Sequence, residues 1–170
     1  NRLEAPGKEG ALLLLFFLAA AVAAPIWGQV AERWGAKPTL LSAMVLSIVA
    51  FMGALFLGPG DWLFFAVVCF FSGAAMGADL TLLPAIFAAR MSQISPSAAE
   101  GFGLWSFVSK LTLAFAAVSL LPLLERSGFE SGSLENPTEA IALLTLLYAA
   151  VPCVLKIVAI ALLAATKLED

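Results

Sequence analysis

Five apolar runs, each close to the length of a membrane-crossing helix, dominate this sequence. They cover about residues 11–30, 39–58, 62–89, 101–124 and 140–166. A helix needs roughly 20 consecutive apolar residues to cross the hydrocarbon core of a bilayer. The runs therefore predict an all-α membrane protein, with five transmembrane helices in a single domain over residues 1–170 and the lipid bilayer as its surroundings.

The composition agrees with a membrane location. Hydrophobic residues make up 62% of the chain and charged residues only 12%, with a mean hydropathy of +1.00. Soluble domains are about half apolar and a quarter charged. A water-soluble fold of 170 residues could not bury this much apolar surface.

The same composition excludes several classes of function. The net charge of −3 and the lack of clustered Lys and Arg argue against a nucleic-acid partner. The chain contains no histidine, which excludes His-based acid–base catalysis, serine triads and most zinc sites. Cys69 and Cys153 both lie inside apolar runs, where packing is the expected role. We predict no catalytic residues, no metal site and no bound cofactor, hence no enzyme.

The connections between the spans are short and polar. The first span carries Pro25 and closes on a charged turn over 31–38, and a polar linker covers 91–100. The third span, with 28 residues, would be about 42 Å long as a helix, so we expect either a tilt or a break at Pro84. A hydrophilic loop from Glu125 to about Glu139 precedes the last span.

The basic residues give a weak prediction of orientation, because they favour the cytoplasmic side of short loops. One side collects Arg33, Lys37, Arg90 and Lys167, and the other Arg2, Lys8 and Arg126. We therefore expect a multi-pass protein of the cell inner membrane with a cytoplasmic C-terminus. Arg33 and Lys37 are candidates for a gating loop, or merely fix the topology.

Three ionisable residues lie inside the predicted spans: Asp79, Lys110 and Lys156. Counted from the presumed cytoplasmic ends of their spans, all three lie roughly 14 to 16 Å deep, near the bilayer midplane. Such residues usually face a bundle interior or a watery cavity. Two cations and one anion leave one positive charge unmatched, so we expect a carboxylate, an anion or a solute to meet it. Alternatively, Lys156 or Asp79 extends to the interface or becomes neutral, with no other role.

Helical spacing adds three candidates around these charges: Ser106, Trp105 and Tyr148. Gly103, Ser106 and Lys110 share one helix face of small and polar residues, which indicates a cavity. Trp105 lies one turn before Lys110 and is the one tryptophan expected to touch a ligand. Tyr148, Pro152 and Lys156 recur every four residues, and Pro152 leaves the Tyr148 carbonyl without its usual donor. A simple kink is an equally good interpretation of this last pattern.

Two further patterns indicate ordinary membrane packing. Gly73 and Gly77 form a GxxxG segment, which lets another helix approach closely. The other tryptophans, Trp27, Trp34 and Trp62, lie near span ends, where interface anchoring is expected.

Several of these segments resemble a known transporter family. The loop over 32–37 resembles the cytoplasmic basic turn of the major facilitator superfamily. The stretches over 77–79, 83–85 and 103–110 are similar to the glycoside, pentoside and hexuronide cation symporters, the melibiose permease group. The resemblance implies that the five spans form most of the C-terminal six-helix half of such a transporter, with the N-terminal half missing from this sequence, as the start at Asn1 also suggests.

The resemblance also implies how the residues work. Two six-helix halves would rock around a midplane site, with transport of a sugar-like solute coupled to Na⁺ or H⁺. Lys110 matches a lysine near the cation and sugar sites of that family, whose cation-binding acidic residues belong to the N-terminal half. The segment over 88–92 lacks the two aspartates that many members carry, which leaves the solute open.

We therefore predict a solute:cation symporter, with Lys110 as the first candidate for coupling or substrate binding and Asp79 and Lys156 next. Two alternatives stay open: a lipid or pigment carrier of the same superfamily, and a five-span assembly or scaffold protein that transports nothing.

Overall fold

The computed structural model describes residues 7–58, 60–94, 98–128 and 137–166. Within them every regular element is helical: α1 (Glu9–Trp34), α2 (Ala36–Leu55), α3 (Trp62–Ile94), α4 (Ala98–Arg126), α5 (Thr138–Thr145) and α6 (Val151–Ala165), with a π turn, Leu146–Ala150, between the last two. The π turn makes α5 and α6 one span. Five helical segments are thus long and apolar enough to cross a membrane, which confirms the predicted fold class.

The core lies where α2 and α3 meet. Leu40, Ala43 and Met44 of α2 pack there against Ala78 and Leu82 of α3. Around this core α1 packs along α3, and α6 packs against α2. By contrast, none of the residues of α4 whose burial is described is buried. Four of the five spans therefore form a packed bundle, and α4 lies at its margin.

Two glycines allow α1 and α3 to approach closely. A Cβ atom added at Gly73 would overlap the carbonyl oxygen of Phe16, and one added at Gly77 would lie 2.5 Å from the carbonyl oxygen of Ala20. Real Cβ atoms essentially never come this close, so only glycine fits at either position. The close helix approach predicted from the GxxxG segment is confirmed.

The charged turn expected over 31–38 is mostly helical. Helix α1 runs to Trp34 and α2 starts at Ala36, so only Gly35 is outside a helix. Its φ of 89° and ψ of 150° lie in a region open essentially to glycine alone. Pro38 does not prevent helix formation, because it lies in the first turn of α2, where backbone amides have no hydrogen-bond acceptor within the helix.

Helix α3 is longer than predicted and is not interrupted at Pro84. It has 33 residues and continues to Ile94, so part of the expected linker over 91–100 is helical. Of the two alternatives for this span, the break is wrong and the tilt stays a prediction. At about 1.5 Å per residue the helix is about 50 Å long, well above the thickness of a hydrocarbon core. Loss of a single backbone hydrogen bond at Pro84 does not end a helix that is held by packing on both sides.

Two parts of the predicted topology lie outside the described residues. Arg2 and Lys167, which entered the charge count, are among them, as is most of the hydrophilic loop. Within the described chain, Lys37 at the start of α2 contacts the last carbonyls of α6. These two helix ends therefore lie on the same side of the bundle, as an alternating up-and-down topology requires.

Candidate functional site

Asp79 and Lys156 form an ion pair between two spans. The ammonium of Lys156 on α6 donates to Oδ2 of Asp79 on α3. Both side chains are about four-fifths buried, with 22% of each exposed. The depths counted along the two spans put Asp79 and Lys156 at the same level in the membrane, and the structure shows that their side chains are in contact. The pair is electrically neutral, as buried charges in an apolar medium need to be.

One atom of this pair is left without a partner. Asp79 Oδ1 is buried and accepts no hydrogen bond from any residue of the described chain. The residues one turn away from Asp79 on its own helix, Ala75, Met76, Leu82 and Leu83, are all apolar. Within the described residues, Lys156 is thus the hydrogen-bond partner of one carboxylate oxygen and the other oxygen has none.

Lys110 is not brought to this pair. It is exposed on α4, and no hydrogen bond or ion pair joins it to a residue within 7–58, 60–94, 98–128 or 137–166. The side of α4 that meets α3 is marked by Gly101, which lies against Met91. Nine residues at about 100° each place Lys110 on the opposite side of the helix. Lys110 thus faces away from the other four spans, and within the described residues it is not brought together with Asp79 and Lys156.

The face of α4 around Lys110 is open. A Cβ atom added at Gly103 would meet no atom within 4 Å, and Ser106 is exposed. These are the two residues that share the Lys110 face by helical spacing. The small and polar residues of this face therefore do not pack against the described part of the chain.

Trp105 joins α4 to α3. Its ring lies 4.9 Å from the ring of Phe87, which also contacts Phe102 at 5.3 Å. This aromatic cluster, together with the Gly101 contact, is where α4 docks on α3. Trp105 is therefore turned away from the Lys110 face, and the structure gives it a packing role.

Tyr148 lies in the π turn at a junction of three spans. Its ring packs edge-on against Phe51 of α2 at 5.7 Å and lies 6.3 Å from Phe65 of α3. The backbone at this point follows π spacing, with the Val151 amide donating to the carbonyl of Leu146. The Pro152 pattern in the sequence indicated a disturbed helix here, but it could not distinguish a π turn from a kink.

The two candidate gating residues have different surroundings. The ammonium of Lys37 donates to the carbonyls of Ala164 and Thr166, at 3.1 and 2.6 Å. It thereby caps the C-terminal end of α6, where unpaired carbonyls carry partial negative charge. Arg33 is exposed at the end of α1.

One contact inside the bundle was missed from the sequence. The indole nitrogen of Trp27 on α1 donates to the carbonyl of Ala74 on α3, at 2.7 Å. Trp27 also packs against the core, so it joins two spans and does not act as an interface anchor. Trp27 lies seven residues after Ala20 and so on the same face of α1, which is the face that meets α3. This spacing was the signal for the contact in the sequence.

The helices and charges define a multi-pass α-helical membrane protein in which, among the residues that the structure describes, Asp79 and Lys156 form an intramembrane ion pair and Lys110 faces outward. The chain belongs to the MFS/sugar transport protein family, whose sequence pattern matches residues 3–170. It is thus a transporter of the major facilitator superfamily, and this part of the resemblance is confirmed. The family points to a transporter and away from both an enzyme and a scaffold. No curated protein and no solved structure matches the chain.

Proposed function

We propose that this chain provides most of the C-terminal half of a symporter that couples a sugar-like solute to Na⁺ or H⁺ by alternating access. The family gives transport and the sugar class in general terms. Ion coupling and the role of each residue are our proposal.

The observation that supports this proposal is that two of the three intramembrane charges pair with each other, whereas the third has no partner within the described chain. Asp79 and Lys156 neutralise each other, while Lys110 is exposed on a helix face that contacts none of the other described spans. An ammonium facing lipid at this depth costs several kcal/mol, roughly 3 or more. We therefore infer that Lys110 faces the N-terminal half of the carrier, whose acidic residues and bound solute supply its counter-charge.

The other residues support this site in different ways. Ser106 lies one turn from Lys110 on the same face, so we assign it to solute contact. We assign Asp79 and Lys156 to keeping the interior of the bundle neutral, and Tyr148 to packing between α2 and α3. Trp105 fixes the position of α4 against α3, and so acts on the solute site indirectly.

The gate is assigned to the turn around Gly35. Lys37 joins this turn to the end of α6, so we propose that it stabilises one conformation of the cytoplasmic side, with Arg33 beside it. The proposal includes a location in the cell inner membrane and a cytoplasmic C-terminus.

The test is transport by the full-length carrier in proteoliposomes. Lys110→Met should abolish uphill accumulation of the solute under a Na⁺ or H⁺ gradient, while Lys110→Arg, which keeps the charge, should retain part of it. Expression should match the wild type, because Lys110 packs against no residue of the described chain. Full accumulation by Lys110→Met would remove this residue from the mechanism.

A specific observation favours a second candidate, a carrier of lipids or pigments. Phe107 and Leu111, the neighbours of Lys110 around α4, are 62% and 55% exposed. A solute with a long apolar part could pack against such side chains while its polar head meets Lys110.

Substitution of these apolar neighbours distinguishes the two candidates. Phe107→Ser with Leu111→Ser should abolish transport of a lipid-like solute and leave sugar uptake with a normal KM. Phe115→Ser, which is 73% exposed and lies about 140° around α4 from Lys110, serves as the matched control for general disturbance of the helix. Lipid transport without any ion dependence would replace the symport proposal by this second one.

A further inference from the structure

The last span packs in two different directions along its length. Its first part, α5, packs against α4, and Ala140 there is completely buried. Its second part, α6, packs against α2 and reaches α3 through the Lys156–Asp79 pair. Ala140 and Lys156 are therefore two fixed points, or anchors, on one span: the first is buried and the second faces Asp79.

A straight α-helix would set the angle between these anchors by residue count alone. Sixteen residues separate Ala140 from Lys156, and at about 100° per residue the two would point about 160° apart. A π turn takes up one extra residue, because its hydrogen bonds span five residues in place of four. With one residue absorbed, the angle falls to about 60°.

The π turn lies between the two anchors, at Leu146–Ala150. Proline alone does not explain it. Pro152 lacks an amide hydrogen and its ring crowds the Tyr148 carbonyl, which makes opening of the helix easier here. However, Pro25, Pro84 and Pro122 lie inside helices that the structure describes as α throughout. A proline alone therefore does not produce a π turn, and another interaction must stabilise this turn in the last span.

We propose that the π turn is a phase adapter: it takes up one extra residue, so that Ala140 is buried while Lys156 faces Asp79. Pro152 lowers the cost of opening the helix at this point, and the two anchors keep it open. The inference does not depend on the proposed transport mechanism.

Changes of one residue in length test the adapter, because it makes the span respond unequally to deletion and insertion. Deletion of Leu146, which is exposed, should close the turn to α-helix and leave both anchors in place. Insertion of one alanine after Leu146 adds a second surplus residue, so at least one anchor should be lost. In an ordinary α-helix the two changes would be equally harmful.

Each anchor has its own measurement in the full-length protein. The Asp79–Lys156 pair is followed by a double-mutant cycle on thermal stability with Asp79→Asn and Lys156→Met, in which an interaction between the two changes reports the pair. Burial at Ala140 is followed by maleimide labelling of Ala140→Cys, with the exposed Ala142→Cys as the matched control. Mass spectrometry of the labelled peptide separates these sites from Cys69 and Cys153.

The expected result is that the Leu146 deletion keeps both the coupling and the slow labelling at position 140, and that the alanine insertion abolishes one of them. Loss of either anchor in the deletion variant, including loss through misfolding, would overturn the proposal. Retention of both anchors in the insertion variant would overturn it as well, because the turn would then be a flexible segment without a defined phase.

Discussion

Lys156 binds one carboxylate oxygen of Asp79, and the other oxygen, Oδ1, is buried without a partner in the described chain. Removing the lysine therefore leaves a charge with nothing to compensate it. We expect Lys156→Met to lower the free energy of unfolding by about 2 kcal/mol, below the roughly 3–5 kcal/mol of fully buried pairs because both side chains are partly exposed. Thermal unfolding in detergent measures this.

The double variant is the informative control for this pair. Asp79→Asn together with Lys156→Met removes both charges, so much of the lost stability should return. Leu155→Met is the matched single change on the same helix, at a position that is 64% exposed, and it should leave stability nearly unchanged. If Lys156→Met and Leu155→Met behave alike, the ion pair contributes nothing to stability.

The contact of Gly77 with Ala20 predicts that a larger residue will separate α1 from α3. Gly77→Val would force its side chain into the Ala20 backbone, which cannot move without shifting the whole helix. We expect a loss of about 2–3 kcal/mol, at the upper end for overpacking. Chemical unfolding of the purified protein gives the value.

Gly28→Ala provides the matched control, since Gly28 is also in a helix and a Cβ there meets nothing within 4 Å. It should be neutral or slightly stabilising, because alanine favours helices more than glycine does. Equal destabilisation by the two variants would show that glycine flexibility, and not close approach, matters at Gly77.

The cap formed by Lys37 predicts faster local opening at the end of α6 when the charge is removed. Lys37→Met leaves the carbonyls of Ala164 and Thr166 without their donor, so amide hydrogen exchange in the last turn of α6 should speed up. The change corresponds to about 0.3–1 kcal/mol, as is usual for a cation at a helix C-terminus. Arg33→Met, another basic residue at the same end of the bundle, should leave this exchange unaltered.

The backbone of Gly35 predicts that no side chain is tolerated there. Gly35→Ala must hold φ near 89°, a conformation that costs an L-residue about 1–3 kcal/mol. The measured loss of stability should fall in that range, and Gly103→Ala, on an open helix face, is the control. A neutral Gly35→Ala would mean that the connection between α1 and α2 can relax to another geometry.

Much of the fold could be predicted because the bilayer imposes it. The lengths of the apolar runs fix the number of spans, and the depth of each charge along its span correctly placed Asp79 level with Lys156. The direction in which a residue points around its helix could not be obtained in this way. Lys110 lies on the side of α4 away from α3, and this depends on which face Gly101 and Trp105 use for docking.

Local backbone detail was the other part that the sequence left open. Pro84 and Pro152 look alike in the sequence, yet α3 passes through the first as an ordinary helix and the last span opens to a π turn before the second. The difference depends on what the flanking residues must contact. The number of non-helical residues over 31–38 was overestimated for a similar reason, because charged residues at a membrane surface are compatible with helix as well as with loop.

The single non-helical residue between α1 and α2 limits how these two spans can move. With only Gly35 between Trp34 and Ala36, there is no slack for one span to slide or tilt while the other stays still. Any force applied to the outer end of α1 is transmitted through this joint directly to α2 and, through the hydrogen bonds of Lys37, to the end of α6. As long as the Lys37 hydrogen bonds persist, a rearrangement of this side of the membrane therefore moves the ends of α1, α2 and α6 together.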